Sequence, residues 1–166
     1  MVAGSRHFLI DSLNPTGYAQ AILERTGGAQ SQTISKTYAI GDDVLGQLTA
    51  MDGHRTLLAD GHGSTRQLYD SGGSLWNDSE WYDYDAYGET FAWELDDPSV
   101  STRPKTDLLY AGEQWDADLG MQYLRARYYL PSQGIFNRLD PFFGNQDDPQ
   151  SLHKYAYTHA DPVNGI

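Results

Sequence analysis

The chain has 166 residues, with 11 basic and 23 acidic side chains, a formal net charge of -12 and no cysteine. A field of that sign repels phosphate and argues against binding to nucleic acid or anionic lipid; without thiols there is no disulfide framework, thiolate metal site or cysteine nucleophile. The length allows one domain with a real core, yet only 39% of residues are hydrophobic and 12 are tyrosines, so rings with a polar tip must supply much of the burial.

The first segment, "MVAGSRHFLIDSLNPTG", holds one Arg and a three-residue apolar run, too short for a signal-peptide core or a membrane span. It carries no targeting signal and predicts no membrane insertion. Turn signals then recur at short spacing: Asn14 to Gly17, Gly27-Gly28, Gly41 to Asp43, Asp52-Gly53, Asp60-Gly61, Ser71 to Gly73, Asp85 to Gly88 and Asp118 to Gly120. Between them lie strand-length stretches such as "RHFLID", "KTYAIGDDV", "RTLLAD", "TRQLYD" and "EWYDYD", the pattern of antiparallel β-hairpins. Helical spacing shows in two places, "GYAQAILER" near the start and "QSLHKYAYTHA" near the end. A run ending in Asp, a Gly turn and a second short strand appear in turn at "FLIDSLNPTGYAQAI", "YAIGDDVLGQLTAM", "LLADGHGSTRQLYDSGG" and "YDYDAYGETFAW", as stacked repeat units would. Residues 94–106, rich in Asp, Ser, Pro and Thr, read as an exposed loop or linker between a repeat section, 1–93, and a distinct section, 107–166. The closing "HADPVNGI" is turn-rich and uncapped, and is expected to be cut from a longer chain.

Several constellations invite a chemical reading and mostly decline it. Asp60, His62 and Ser64 are the residue types of a hydrolase triad, but five consecutive positions cannot give its geometry, and a turn with side-chain caps is expected. The five histidines show no paired metal-ligand spacing, so neither a metal nor any other cofactor is expected. Trp76, Trp81, Trp93 and Trp115 are candidates for a sugar-stacking surface, against the ordinary reading of cross-strand packing. In "YLRARYYL", strand alternation would put Tyr123, Arg125, Arg127 and Tyr129 on one face and Leu124, Ala126, Tyr128 and Leu130 on the other. The two guanidinium groups would then pair with carboxylates from "YDYDAYGE" or "GEQWDAD".

The phrase "LLYAGEQWDADLGMQYLRARYYLPSQGIFNRLDP" resembles the RHS-associated core of the RHS/YD-repeat family, large bacterial shell proteins related to teneurins and to the cocoon subunits of Tc toxins. Matching positions run from Tyr110, Gly112, Gln114, Asp118 and Gly120 through Tyr123 to Tyr129 to Pro131, Gly134, Phe136, Asp140 and Pro141. Upstream, "LADGHGSTRQLYDSGG" is similar to the phrase that precedes that core. In the tail, Tyr155, Tyr157, Pro162 and Asn164 match the segment that follows it.

The resemblance implies a mainly β fold: antiparallel hairpin repeats forming part of a spiralling β-shell, with a short helical segment near the C-terminus. It implies that the parent protein is secreted or at the cell surface, and that the partners are the rest of its own shell and an enclosed C-terminal toxin or effector polypeptide. A surface adhesion or glycan-binding module is the alternative. The resemblance further implies that Asp140 matches the first catalytic Asp of an aspartyl autoprotease, although the chain ends before the family's cleavage phrase, so by itself it is expected to be structural and not an enzyme. Leu139 separates Arg138 from Asp140, and a regular strand would return Arg138 to the face of Asp140 as its orienting group. Asp147, Asp148 and Asp161 are the candidates for the second carboxylate.

Overall fold

The computed structural model of the chain describes residues 5–14, 17–28, 31–75, 81–91 and 104–164. The chain divides into two compact units, Met1–Glu80 and Trp81–Ile166. Most of the loop expected over 94–106, its residues 94–103, lies outside the described residues.

The first unit is a six-stranded antiparallel sheet in which each strand pairs with the next in sequence: β1 (Ser5–Asp11), β2 (Gln20–Gly28), β3 (Ser31–Ile40), β4 (Val44–Thr49), β5 (Gly53–Ala59) and β6 (Thr65–Tyr69). The segment "GYAQAILER", whose spacing suggests a helix, supplies most of β2. Its Leu23 and Glu24 pair with Leu9 and Phe8 on one side and with Thr37 and Lys36 on the other. Two flanking ladders outweigh a weak helical period, as tertiary context commonly does. Glu24 is buried there, 3.8 Å from Arg6.

Three turns share one construction. At Asp60, Asp70 and Asp85 the aspartate N–H donates to the carbonyl four residues on, at 3.0, 2.9 and 2.8 Å. Its Oδ1 accepts from the amides two and four residues on: His62 and Ser64, Gly72 and Ser74, Tyr87 and Glu89. The residue three places on is always glycine, at φ +84°, +78° and +87°. A carboxylate that gathers amides and a glycine that turns left-handed thus close each turn from within its own five residues. The turn after Asp11 shares one of these contacts, Asp11 Oδ1 accepting from Leu13 N, but has Asn14 and not glycine three places on; at Gly41 the N–H donates to Asp43 O.

The second unit holds a four-stranded antiparallel meander, β7 (Gln114–Asp116), β8 (Met121–Leu124), β9 (Arg127–Leu130) and β10 (Ile135–Phe136). Strands of two to four residues do not hold together on ladder hydrogen bonds alone. A ring cluster supports them: Tyr129 is fully buried, with Tyr157 at 4.3 Å and Tyr110 at 6.5 Å between ring centroids. The hydroxyls explain why these rings are tyrosines. Tyr129 Oη donates to Tyr87 O (2.6 Å) and Tyr110 Oη to Ala86 O (2.9 Å), both carbonyls of the Asp85 turn. Gly88 of that turn lies flat on Tyr110, where an added Cβ would come 2.4 Å from the ring. Burial first, then the neighbouring phenols of Tyr110 and Tyr157, push the Tyr129 phenol far above its ordinary value, so it stays a donor. The short helical segment near the C-terminus consists of 3-10 turns at Pro149–Leu152 and Thr158–Ala160, with a bent stretch between them.

Candidate functional site

"LRARYY" is not one strand. Leu124 pairs with Arg127 and Tyr123 with Tyr128, so Arg125 and Ala126 form a two-residue turn, with Arg125 at φ +59°. The expected common face is therefore lost: Tyr129 is in the core while Tyr123 stands exposed, its ring tilted against Tyr128 at 5.2 Å between centroids. Arg125 reaches Glu113 of "GEQWDAD" (2.6 Å). Arg127 takes a carboxylate from neither expected segment: its Nη2 lies 2.8 Å from Asp140 Oδ2, and its guanidinium sits 3.6 Å above the Phe136 ring.

Asp140 is held at three points. Its N–H donates to Lys154 O (2.8 Å), its Oδ1 accepts from Phe142 N (2.8 Å), and its Oδ2 meets Arg127. The Phe142 amide lowers its pKa most; slight burial opposes this, and Arg127 and then Lys154 add to the lowering, so the carboxyl stays ionised below the usual carboxylate range. Arg138 does not orient it, because its Nη2 donates to Ala126 O (2.9 Å), back across the hairpin. Its regular-strand position is lost because β10 ends at Phe136. The group that pairs with Asp140 is Arg127, thirteen positions earlier, which only the 125–126 turn and β9–β10 pairing could reveal.

Each of the three candidate second carboxylates has a local hydrogen-bonding partner of its own. Asp148 Oδ1 caps Gln150 N (3.2 Å), Asp161 Oδ1 accepts from Asn164 N (3.2 Å), and Asp147 contributes its amide to Asn145 Oδ1 (3.1 Å). Asp60 offers a measure of what Asp140 could be: its Oδ1 likewise takes backbone amides while its Oδ2 meets Arg66 Nε at 2.7 Å. Burial pushes Asp60 up, but Arg66 and the two amides outweigh it and the net shift is down. The arrangement at Asp140 thus has a counterpart in a repeat turn. Asp140 differs in being followed by the exposed Phe142 and Phe143.

Of the four tryptophans, Trp76 and Trp93 lie outside the described residues, Trp81 is 51% exposed and Trp115 only 8%. Trp115 is core, so it cannot serve a sugar-stacking surface. Within the second unit a cleft of 410 Å³ opens between Asp85, Tyr87, Gly134, His153 and Ala156.

No family model matches the chain. It is 34% identical over 136 residues to the tRNA3(Ser)-specific nuclease WapA of Bacillus spizizenii, an alignment covering 80% of this chain and 5% of that protein. To the tRNA nuclease WapA of Bacillus subtilis it is 39% identical over 85 residues, 51% of this chain and 4% of that one. The chain therefore spans a small part of the curated relatives it matches. Among solved structures, a TcdB2–TccC3 crystal structure superposes with a TM-score of 0.62 at 21% identity, over 90% of this chain and 7% of that one. A TcdB2–TccC3–Cdc42 crystal structure does so with a TM-score of 0.65 at 20% identity, over 98% and 8%. These two likenesses are of fold.

Proposed function

The chain belongs to the RHS/YD-repeat family, and on that premise we propose that it is a section of a β-shell enclosing a toxin or effector polypeptide encoded further along an exported or surface-displayed parent protein. The observation that carries this reading is the strictly sequential antiparallel order of both sheets, one hairpin after another, a construction that builds a wall and not a catalytic cleft. The names of the WapA relatives support a toxin context. The test is protection of the cargo. In the purified parent, the downstream polypeptide should resist an added protease until the shell is opened by Tyr129→Ala. Digestion at the same rate with and without that substitution would sink the proposal.

Self-processing is the finer part of the same proposal. An Asp140 kept ionised by the Phe142 amide and Arg127 suits the general-base half of an aspartyl pair, the half that activates water. The proton-bearing partner would come from Asp147, Asp148, Asp161 or the downstream phrase brought alongside. Asp140→Asn in the parent should abolish processing, and processing at the wild-type rate would leave Asp140 with its turn role alone.

A further inference from the structure

His153 follows the Pro149–Leu152 turn, its own N–H bonded to Gln150 O. Its Nδ1 lies 2.8 Å from Ala156 N and 3.3 Å from Tyr155 N. A backbone N–H only donates, so Nδ1 must present a lone pair and the ring proton must sit on Nε2. The imidazole is therefore acting as the acceptor of an Asx-type turn, a place ordinarily filled by an amide or carboxylate oxygen. The arc it closes is tied down on two sides. Phe136 N donates to Tyr155 O (2.8 Å), which attaches the arc to β10; Lys154 O accepts the Asp140 N–H, and Lys154 Nζ donates to Phe142 O (2.5 Å). The same short arc thus joins the sheet to the backbone of Asp140.

We infer that His153 is a positioning residue for Asp140: the neutral imidazole closes the arc that presents the Lys154 carbonyl to the Asp140 amide, and the imidazolium cannot. The functional consequence rests on the reading of Asp140 as a working carboxylate, while the geometry does not. Facing His153 across the cleft are Asp85 and Tyr87, from the turn at 85–88; the Pro131–Gln133 turn brings Ser132 and Gln133 but no charge. On its own segment stand Lys154 and Tyr155. Neither Asp85 nor Lys154 can replace the lone pair that the two amides require.

Hydrogen exchange read by NMR on the 166-residue chain tests this, comparing wild type, H153N and H153A between about pH 7.5 and pH 5. In wild type the protection factors of the Ala156 and Asp140 amides should fall on acidification by about five- to tenfold, the scale of one lost hydrogen bond. H153N should hold both protected across the range, since its Oδ1 accepts without titrating, and H153A should be unprotected throughout. Protection in wild type that ignores pH, or an H153N indistinguishable from H153A, would overturn the inference. A response at Ala156 with none at Asp140 would overturn the positioning role. If Asp140→Asn left parent processing untouched, the catalytic reading alone would fall, because the amide measurements do not depend on it.

Discussion

The two units share an architecture and differ in what they bury. In the first, the buried side chains among the described residues are mostly polar: Asn14, Glu24, Gln47, Arg55, Ser64, Thr65 and Gln67, with Tyr38 and Leu68 as the apolar members. In the second they are mostly rings and leucines, including Tyr82, Leu108, Leu109, Tyr110, Trp115, Tyr129 and Tyr157. Strand length runs the other way, with 7, 9 and 10 residues in β1 to β3 against 3, 4, 4 and 2 in β7 to β10. Long ladders keep a polar sheet in register through backbone pairing, whereas short strands need side chains to do it. The antiparallel meander is thus a pattern that two different sources of order can support.

Substitutions can break that contrast. Tyr129→Ala should have the largest effect, about 3–5 kcal/mol, because a fully buried ring leaves a cavity among Tyr110, Phe136 and Tyr157. Denaturant midpoints would measure it. Leu68→Ala, the counterpart in the first unit, should cost about 2–3 kcal/mol, since a smaller side chain is removed from a unit that buries few apolar residues. A loss equal to that of Tyr129→Ala would refute the contrast. Tyr129→Phe sharpens it: the ring stays, the Tyr87 carbonyl loses its donor, and about 1–2 kcal/mol should go.

Acid titration should give the smallest effect. Asp60 and Asp140 both have pKa values lowered by folding, so each contributes stability above the unfolded carboxylate value of about 3.9 and loses it as pH falls through the folded value. Asp60→Asn and Asp140→Asn should each flatten the acid limb of a plot of urea midpoint against pH. Both carboxylates are partly solvated, which keeps the change slight. An unchanged limb would mean that neither ion pair stabilises the fold.

Hairpins and Asp-Gly turns were legible in the sequence because their physics is local, a carboxylate and a glycine acting within five residues. What escaped was set by partners distant in the chain. β2 is a strand only because β1 and β3 flank it. The turn at Arg125-Ala126 has no Gly or Asn to announce it, and Arg125 takes a left-handed conformation beside its ion pair with Glu113. Arg127 finds Asp140 through that unannounced turn, so alternation along a supposed single strand chose Arg138 instead. The tyrosine count foretold that rings with a polar tip would supply much of the burial. It could not say that two of those hydroxyls converge on one turn.

A turn that specifies itself in five residues, as those at Asp60, Asp70 and Asp85 do, makes the number of hairpins a free variable. Duplicating or deleting one such unit is a local edit that leaves every other turn's instructions intact, so a sheet of this kind can gain or lose strands without redesign. Were the chain part of an enclosing shell, as proposed, the enclosed volume could follow the size of its cargo through simple changes in gene length.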